Sequence, residues 1–598
     1  MKFFSSKTAF IIVLGAIVLF GFWLRSYHFS SWLHFELDQS RDARVVDDAL
    51  EGGPGELTLL GPKAGGTFLR LAPGFYYLQY ISGLLFGDTP AGIAVVVMLL
   101  SVAALPVFYF LIARYFNRSL SLLLTLLLAS SAFFVMYGRF AWNPNILPFF
   151  ILLGMYALLR SVDHWESRRG RWFVVAALSL TFATHGHFLA FVSLPVIAVT
   201  FLILKRPRFS WRAWAGALGI VALLYLPMVL NEIGTGGANT KEFFGAITEK
   251  STKEDHILLE KGIRNFSEHA LGALLITTGF EGGAFPTFTF KDSQLIWSCP
   301  ERCDAGKWTG VAAVMALGLS LLLLLFFWWR AEKGKKKDFL LLCGIWFGVT
   351  FALFTPLSYG FAPRFFLVSG VLFIIFLGIL LDTVRHLLGE KKWTHLVVLL
   401  FGSTFVFSNV HFLSARFVEL SQAGILQIDS APDRILKERI RVTLEQQNQI
   451  IDMFESRYRE NHFPIYMFSE PQHRRALKYL MERRGIENGV LGYETIYRQG
   501  TYFLVLRGQS DLEDALKKYR VNYEIGGTTH FGTLVAIELL PKPEAIKAER
   551  QDFSIVTPDT STAPPRYTWN EFFHLKEDVP IEDQESNLEQ SEDKETDN

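Results

Sequence analysis

The stretch PAGIAVVVMLLSVAALPVFYFLIA, residues 90–113, decides the fold class of this chain. It runs for 24 residues without a charged side chain, and a helix needs about 20 apolar residues to cross the hydrocarbon core of a bilayer. The whole chain is similarly apolar, with 51% hydrophobic and only 19% charged residues among 598. This composition excludes an ordinary soluble enzyme and predicts a multi-spanning, all-α membrane protein.

Apolar runs of this kind recur along the first 415 residues, which we predict to form one membrane domain (1–415). Each run is close to the length of a membrane-spanning helix. We expect eleven crossings, at 8–24, 90–113, 119–137, 145–159, 172–186, 187–204, 213–230, 308–329, 339–356, 361–381 and 395–412.

Lysine and arginine are distributed unevenly between the short connections. Basic residues resist translocation, so connections rich in them stay cytoplasmic. With the N-terminus inside, the cytoplasmic connections hold Arg114, Arg118, Arg160, Arg168, Arg169, Arg171, Lys205, Arg206, Arg208, Arg212, Arg330, Lys333, Lys335, Lys336, Lys337, Arg385, Lys391 and Lys392. The short outer connections hold only Arg139 and Arg364. This asymmetry predicts a cytoplasmic (inner) membrane protein with a cytoplasmic N-terminus and two long outer segments, 25–89 and 231–307.

The stretch APGFYYLQYISGLLFG, residues 72–87, is an ambiguous apolar segment. If it crossed the membrane, the side of every later connection would be inverted. We therefore predict an interfacial or re-entrant segment with its aromatic side chains at the level of the lipid headgroups.

Beyond residue 415 the apolar runs stop, and we predict a soluble extracytoplasmic α/β domain at 416–576. The stretch at 434–458 has helical spacing, whereas FPIYMF, TYFLVLR and TLVAIEL are typical of strands. Residues 577–598 carry many acidic side chains against Lys594 alone, which predicts a disordered tail.

Two of the three cysteines, Cys299 and Cys303, lie in the sequence CPERC within the second outer segment. An i, i+4 pair in an oxidising compartment favours a local disulfide, with two free thiols as the alternative. A metal site needs further ligands, and no His or Cys lies nearby in the sequence. Cys343 falls within a predicted crossing and is expected to be a core residue.

Ionisable residues collect at the outer ends of the predicted helices, at Asp38, Arg41, Asp42, Arg44, Asp47, Asp48, Arg139, His185, His187 and Arg364. A transporter needs polar groups near the bilayer midplane, where its substrate passes. Convergence on one membrane face instead favours chemistry between a lipid-borne group and a molecule outside. The sequence has no Gly-rich nucleotide motif, which disfavours a nucleotide-driven pump, and no nucleic-acid partner is expected.

Several short motifs occur in a distinctive order: LDQSRDA after the first helix, then LLGP, APGFYYL, GRFAWNPNILPFF and YGFAPRFF. In this order the chain resembles the bacterial relatives of protein O-mannosyltransferases and lipid A aminoarabinose transferases (glycosyltransferase families 39 and 83). The resemblance covers residues 8–415 and does not reach the C-terminal domain. It implies a GT-C fold and a polyprenyl-phosphate-linked sugar as donor.

The resemblance also implies roles for the acidic motif. Asp38 matches the first acid of the family's Asp-Glu pair, and in the family that first acid is the base for the acceptor hydroxyl. Gln39 stands where the family has the second acid. Asp42 is therefore an alternative base. In a helix Asp38, Arg41 and Asp42 share a face, so Arg41 is expected to orient a carboxylate or to bind phosphate.

Basic and polar residues at other matching positions are expected to bind the phosphate or the sugar of the donor. These are Lys63, Arg70, Asn143, His185, His187 and Arg364. Arg364 matches the family's Pro-Arg-aromatic element, and a guanidinium suits bidentate phosphate binding. Asn143 and Asn145 stand where oligosaccharyltransferase relatives place metal-binding acids, so neither a divalent metal nor another cofactor is expected.

The resemblance thus implies a metal-independent, inverting glycosyltransferase that moves a sugar from polyprenyl phosphate to an extracytoplasmic acceptor. That acceptor is a protein, lipid A or another envelope glycan. Two alternatives remain open. A flippase or exporter of a lipid-linked glycan would use the same lipid-phosphate contacts without chemistry. An oligosaccharide transferase or polymerase would share the donor chemistry and differ in what is moved.

Overall fold

The computed structural model describes residues 7–64, 68–250, 256–291, 294–299, 303–389, 392–427, 433–489, 495–508, 512–551 and 566–573. The acidic tail expected at 577–598 lies outside these residues.

The N-terminal part is a bundle of helices with one small hairpin. In chain order its elements are α1 (Lys7–Ser26), α2 (Leu37–Gly52), α3 (Gly74–Phe86), α4 (Pro90–Ile112), α5 (Arg118–Ser130), α6 (Ala132–Tyr137), α7 (Leu147–Val162), α8 (Arg169–Thr184), α9 (Phe188–Lys205), α10 (Trp211–Thr235), α11 (Ala238–Lys250), α12 (Leu258–Thr278), β1 (Thr287–Lys291), β2 (Gln294–Ser298), α13 (Cys303–Arg330), α14 (Lys335–Phe354), α15 (Val371–Leu387) and α16 (Lys392–Gln422).

The expected fold class is confirmed, but the expected number of eleven crossings is not. Among the described residues, eight helices are long and apolar enough to cross a membrane, judged by length and composition. The other three expected crossings fall on α5/α6, α8 and α15, which are shorter. The first of these is interrupted at Ser131, whose hydroxyl donates to the carbonyl of Ile276 (2.8 Å) and whose backbone is not helical.

The second outer segment, 231–307, was expected as a loop and is largely structured. It contains α11, the amphipathic helix α12 and the β1–β2 hairpin. Helix α12 packs against α13, α15 and α16. The charged residues in its first half make this helix less hydrophobic than a membrane-spanning helix, so the sequence pattern did not reveal it.

The basic connections come together at one end of the bundle. Asp163, after α7, pairs with Arg114 (2.9 Å) and with Lys335 (3.2 Å), and Lys205 at the end of α9 pairs with Asp338 (2.6 Å). Four connections that the charge distribution assigns to one membrane side are therefore neighbours in space. Large side chains on α10 and α13 remain exposed, including Leu223, as expected of helices that face lipid.

The C-terminal part is a small α/β unit. Its elements are α17 (Leu444–Asn461), β3 (Ile465–Ser469), α18 (Pro471–Arg483), β4 (Thr501–Arg507), α19 (Leu512–Lys517), β5 (Tyr523–Phe531), β6 (Leu534–Pro541) and α20 (Trp569–Phe572). The sheet order is β3-β4-β6-β5, with β3 parallel to β4 and the other pairs antiparallel. The three strands that the sequence predicts correspond to β3, β4 and β6.

The helix expected at 434–458 begins ten residues later than predicted. Thr443 is the N-cap of α17, because its hydroxyl accepts a hydrogen bond from the backbone N–H of Gln446 (3.2 Å). Upstream, Lys437 has a φ of 60°, which a continuous helix does not allow. Residues 433–441, which we call the linker segment, are therefore irregular and lie between α16 and α17.

The C-terminal unit docks on α2 through α18. Arg44 pairs with Glu482 (2.6 Å), and Arg483 pairs with Asp47 (3.0 Å) and Asp88 (2.9 Å). Asp47 and Asp88 thus hold the two parts of the molecule together through Arg483.

Candidate active site

A cavity of about 180 Å³ opens where the end of the bundle away from the basic connections meets the linker segment. Four separate stretches and one residue of α18 form its wall. Its lining residues are His34, Glu36, Leu37, Asp38, Gln39, Tyr137, Phe140, Trp142, Ala362, Pro363, Arg364, Ile435, Leu436, Lys437, Glu438, Arg439, Ile440 and Gln472.

Asp38 presents its carboxylate to this cavity from the first turn of α2. Oδ1 accepts a hydrogen bond from Arg41 Nη1 (3.0 Å), and Oδ2 accepts one from the indole Nε1 of Trp142 (3.0 Å). The side chain remains 38% exposed. Gln39 accepts from the backbone N–H of Glu36 (3.1 Å) and so caps the start of the helix. The carboxylate is thus oriented by two donors and still open to a substrate.

Asp42 lies one turn further along α2 and is fully buried. Its Oδ1 accepts hydrogen bonds from Arg41 Nε (3.0 Å) and Nη2 (2.8 Å) and from the hydroxyl of Tyr76 (3.2 Å). Burial raises the pKa of Asp42 to about 6. Arg41 therefore bridges both carboxylates, but only Asp38 lines the cavity.

Three cationic side chains also line the cavity. Arg364 follows Pro363 in a short 3₁₀ turn, Pro363–Leu367, and its guanidinium lies over the ring of Trp142 with 5.4 Å to the centroid. Lys437 and Arg439 come from the linker segment. Trp142 therefore contacts Asp38 through its N–H and Arg364 through its ring face.

His34, Glu36 and Glu438 form an acid-base group at the edge of the cavity. His34 Nδ1 lies 2.9 Å from Glu438 Oε1, and its Nε2 lies 3.9 Å from Glu36 Oε2. Burial opposes the charge on His34, but the two carboxylates outweigh it and raise its pKa to about 9. Burial raises the pKa of Glu36 to about 7. His34 therefore stays protonated beside Glu438 at neutral pH.

Lys63 and Arg70 do not line the cavity. The two residues face each other across an isolated antiparallel bridge. The ammonium of Lys63 lies 5.2 Å from the ring centroid of Phe68, and the backbone N–H of Arg70 donates to Asn239 Oδ1 (2.7 Å). Their contact with the donor stays a prediction.

Asn143 and His185 are buried and His187 is half-buried, and none of the three lines the cavity. Asn143 Nδ2 donates to the carbonyl of Gly186 (2.8 Å), and His187 Nδ1 accepts from the backbone N–H of Leu189 (3.1 Å), as the N-cap of α9. Burial lowers the pKa of His185 to about 4, and burial with the nearby charge of Arg364 lowers that of His187 to about 3. Both imidazoles are therefore neutral at pH 7, and these contacts organise the wall.

Cys299 and Cys303 are joined by a disulfide next to the start of α13, and Cys343 is a buried free thiol. No group of three His, Cys, Asp or Glu side chains within the described ranges is arranged to hold a metal ion. The side-chain amides of Asn143 and Asn145 donate to backbone carbonyls, the latter to Phe140 (3.0 Å).

Sequence reasoning missed much of the cavity wall. Trp142 stands in the quoted motif GRFAWNPNILPFF, yet nothing in the motif shows that its indole reaches Asp38 from a distance of 104 positions along the chain. Lys437, Glu438 and Arg439 were assigned to a helix. His34, Glu36 and Gln472 gave no signal, because their places depend on how the linker segment and α18 pack.

The chain matches a family model over part of its length and resembles solved structures in fold. Residues 71–230 match the family model of dolichyl-phosphate-mannose-protein mannosyltransferases. The crystal structure of ArnT from Cupriavidus metallidurans bound to undecaprenyl phosphate superimposes with a TM-score of 0.53 at 11% identity, covering 91% of this chain and 100% of that one. Its apo form gives a TM-score of 0.52 at 10% identity, covering 90% and 99%.

The protein has an ArnT-like GT-C fold. Archaeal AglB from Archaeoglobus fulgidus, in complex with an inhibitory peptide and a dolichol-phosphate, gives a TM-score of 0.46 at 12% identity, covering 83% of this chain and 69% of that one. No curated protein is similar in sequence. The ArnT likeness extends over the C-terminal unit as well, which the sequence motifs did not reach.

Proposed function

We propose that this protein is an inverting glycosyltransferase that moves a sugar from a polyprenyl-phosphate donor to an acceptor outside the membrane. One observation carries the proposal: Asp38 and Arg364 line the same cavity, with Trp142 in contact with both. A carboxylate and a guanidinium across one cavity are the two groups that this reaction needs. Undecaprenyl phosphate, which ArnT binds in its crystal structure, is the corresponding carrier.

The reaction follows from these positions. Asp38 takes the proton of the acceptor hydroxyl while that oxygen attacks the anomeric carbon of the sugar. The bond from that carbon to the phosphate oxygen breaks, and its electron pair stays on the phosphate, whose charge rises by one unit. Arg364 binds this phosphate more tightly as its charge grows, which lowers the barrier. The proposal needs no resident metal, because cationic side chains meet the developing charge.

Asp38 is the base in this proposal, and Arg41 is a positioning residue. Arg41 donates to both carboxylates, so it keeps Asp38 oriented while its charge is balanced by Asp42. Asp42 is fully buried and does not line the cavity, so it lacks access to the acceptor. The nature of the acceptor, protein, lipid A or another envelope glycan, is left to experiment.

The experiment compares membranes that contain the wild type, Asp38→Asn or Asp48→Asn. Mass spectra of lipids and envelope proteins identify the product, and its rate of formation gives turnover. General-base catalysis contributes about 10²–10⁴-fold, so Asp38→Asn should lose that much. Asp48→Asn makes the same chemical change on an exposed position of α2 and should keep wild-type turnover.

Two outcomes would contradict the assignment. If Asp38→Asn keeps more than about a tenth of wild-type turnover while Asp42→Asn abolishes it, the base is Asp42. If Asp38→Asn and Asp42→Asn both stay active and a lipid-linked glycan still changes sides, the cavity belongs to a flippase. A product that carries a whole oligosaccharide would instead indicate an oligosaccharide transferase or polymerase.

A further inference from the structure

The linker segment, DRILKERIR at 433–441, forms one entire wall of the cavity. Six consecutive residues, 435–440, line it. This segment lies after the last membrane helix, in a part of the chain that the motif resemblance does not reach. A wall of a membrane-face cavity is therefore supplied by the C-terminal part of the molecule.

Asp433 holds this segment in a single shape. Its carboxylate accepts hydrogen bonds from the backbone N–H groups of Ile435 (2.9 Å), Leu436 (3.1 Å) and Glu438 (3.0 Å). It also pairs with Arg416 at 2.9 Å and with Arg441 at 2.9 Å. These five contacts wrap the chain around one carboxylate and turn residues 435–440 toward the cavity.

Lys437 stands at the strained point of this turn. Its φ of 60° lies in the left-handed region. This conformation costs free energy for any residue that carries a side chain, and it persists where the surrounding structure enforces it. Its ammonium donates to the carbonyl of Phe361 (3.1 Å), three residues before Arg364. Lys437 and Arg364 are therefore carried by two segments of the chain that contact each other.

The cations of this region fall into two groups. Arg416 and Arg441 are almost fully buried and are neutralised by Asp433 and Glu438. Arg364, Lys437 and Arg439 line the cavity, and within the described part of the chain they pair with no carboxylate. Burial, followed by the charge of Arg364, lowers the pKa of Lys437. Cations at a cavity wall that form no ion pair are suited to an anionic ligand, although Glu36, Asp38 and Glu438 line the same cavity.

We propose that Lys437 is a second ligand of the donor phosphate, acting opposite Asp38 and together with Arg364. This inference rests on the function proposed above and adds a catalytic residue from outside the membrane bundle. When the glycosyl bond breaks, the leaving phosphate gains one negative charge, and an ammonium beside it gains binding energy at that moment. The linker segment then makes the C-terminal unit a part of the active site.

The test measures binding of undecaprenyl phosphate to the purified full-length protein in detergent. Loss of one charge-assisted contact should weaken binding by about ten- to a hundredfold, so Lys437→Met is expected to bind that much more weakly. Lys437→Arg keeps the charge and should stay within about threefold of the wild type. Lys547→Met is the matched control, because Lys547 is exposed and lies outside the cavity wall.

A second variant separates ligand binding from a structural role. Both Lys437→Gly and Lys437→Met lose the hydrogen bond to Phe361, but only glycine relieves the left-handed strain. Lys437→Gly should therefore melt at a higher temperature than Lys437→Met while weakening binding as much. A structural role would instead lower both stability and binding.

Two results would overturn the inference, and they are distinguishable. If Arg364→Met weakens binding while both Lys437→Met and Lys437→Gly stay within about twofold of the wild type, the phosphate site lacks Lys437 and the proposed function stands. If the wild type does not bind undecaprenyl phosphate at all, the inference and the proposed function fail together.

Discussion

The carboxylate of Asp38 is held from two sides, by Arg41 and by Trp142. A base that must accept a proton from an incoming hydroxyl gains from such fixed orientation, because the carboxylate is already placed for the transfer. Arg364 over the same indole ring places the cationic wall at a fixed distance from the base. One tryptophan therefore couples the positions of both proposed catalytic groups.

Trp142→Phe tests this coupling. Phenylalanine keeps a ring beneath Arg364 but removes the N–H that donates to Asp38. A hydrogen bond to a charged group is worth about 1.5–3 kcal/mol, so turnover should fall about ten- to a hundredfold with donor affinity little changed. Steady-state kinetics on the purified enzyme measures both. Trp165→Phe, at an exposed position, is the control, and equal turnover in both variants would contradict a role for the indole N–H.

His34 predicts a pH dependence of stability. Its folded pKa of about 9 lies above its ordinary value of 6.5, so the stability it contributes is complete below pH 6.5 and is lost as pH rises through 9. The groups that face it are Glu36, Glu438 and the more distant Arg416. Glu36 is largely ionised above its own pKa of about 7. Between pH 7 and pH 9 the change in stability therefore comes from the titration of His34.

Across that window the wild type should lose about 2 kcal/mol of unfolding free energy more than His34→Gln. Thermal unfolding of both proteins in detergent at several pH values gives the comparison. If the unfolding free energies of the two proteins changed with pH in parallel, the His34–Glu438 pair would not contribute to the stability of the folded protein.

At the scale of elements, a short segment of the C-terminal part contacts the membrane bundle. Residues 566–573, which we call the C-terminal strap, pair with the loop before α3. The backbone N–H of Leu59 donates to the carbonyl of Tyr567 (2.8 Å), and the backbone N–H of Trp569 donates to the carbonyl of Leu57 (3.2 Å). The indole of Trp569 donates to the hydroxyl of Tyr77 (2.9 Å). The strap therefore fastens the loop that carries Lys63 and Arg70.

Trp569→Ala should loosen that loop. Loss of the ring and of its hydrogen bond to Tyr77 makes local opening easier, so the amide of Leu59 should exchange roughly tenfold faster or more. Hydrogen exchange followed by mass spectrometry on peptides from residues 54–64 measures this. Phe573→Ala removes an exposed ring of the same strap and should leave the rate unchanged. Equal rates in all three proteins would show that the strap does not restrain the loop.

At the scale of the whole molecule, the basic connections gather at one end of the bundle, and the cavity and the C-terminal unit lie at the other ends of the same helices. From the Lys/Arg distribution we predict that the first end lies in the cytoplasm. We therefore predict that the cavity faces outward, where an envelope acceptor would meet a lipid-borne donor.

Cysteine labelling in intact spheroplasts tests this orientation. The native cysteines give little background, because Cys299 and Cys303 are bonded and Cys343 is buried. An impermeant maleimide should label Arg498→Cys, an exposed position of the C-terminal unit, and should label Lys336→Cys only after the membrane is opened. The reverse pattern would place the cavity in the cytoplasm.

The sequence by itself determined the membrane class and the approximate places of the helices, and it predicted one face on which chemistry-bearing residues collect. These features depend on run length and on local charge, which act along the chain. It also singled out Asp38, Arg41 and Arg364. The eleven crossings it predicted are not confirmed, because a short apolar run such as α5 ends where Ser131 turns the backbone.

Only the tertiary structure decided which carboxylate meets the cavity and which cations stand opposite it. Asp38 and Asp42 lie on one helix at neighbouring positions, and the packing of α2 against α3 and α18 buries the second and leaves the first open. Lys437 reaches the cavity because Asp433 pairs with Arg416, seventeen positions away, and bends the linker segment. Contacts between distant residues set these positions, and neither spacing nor composition records them.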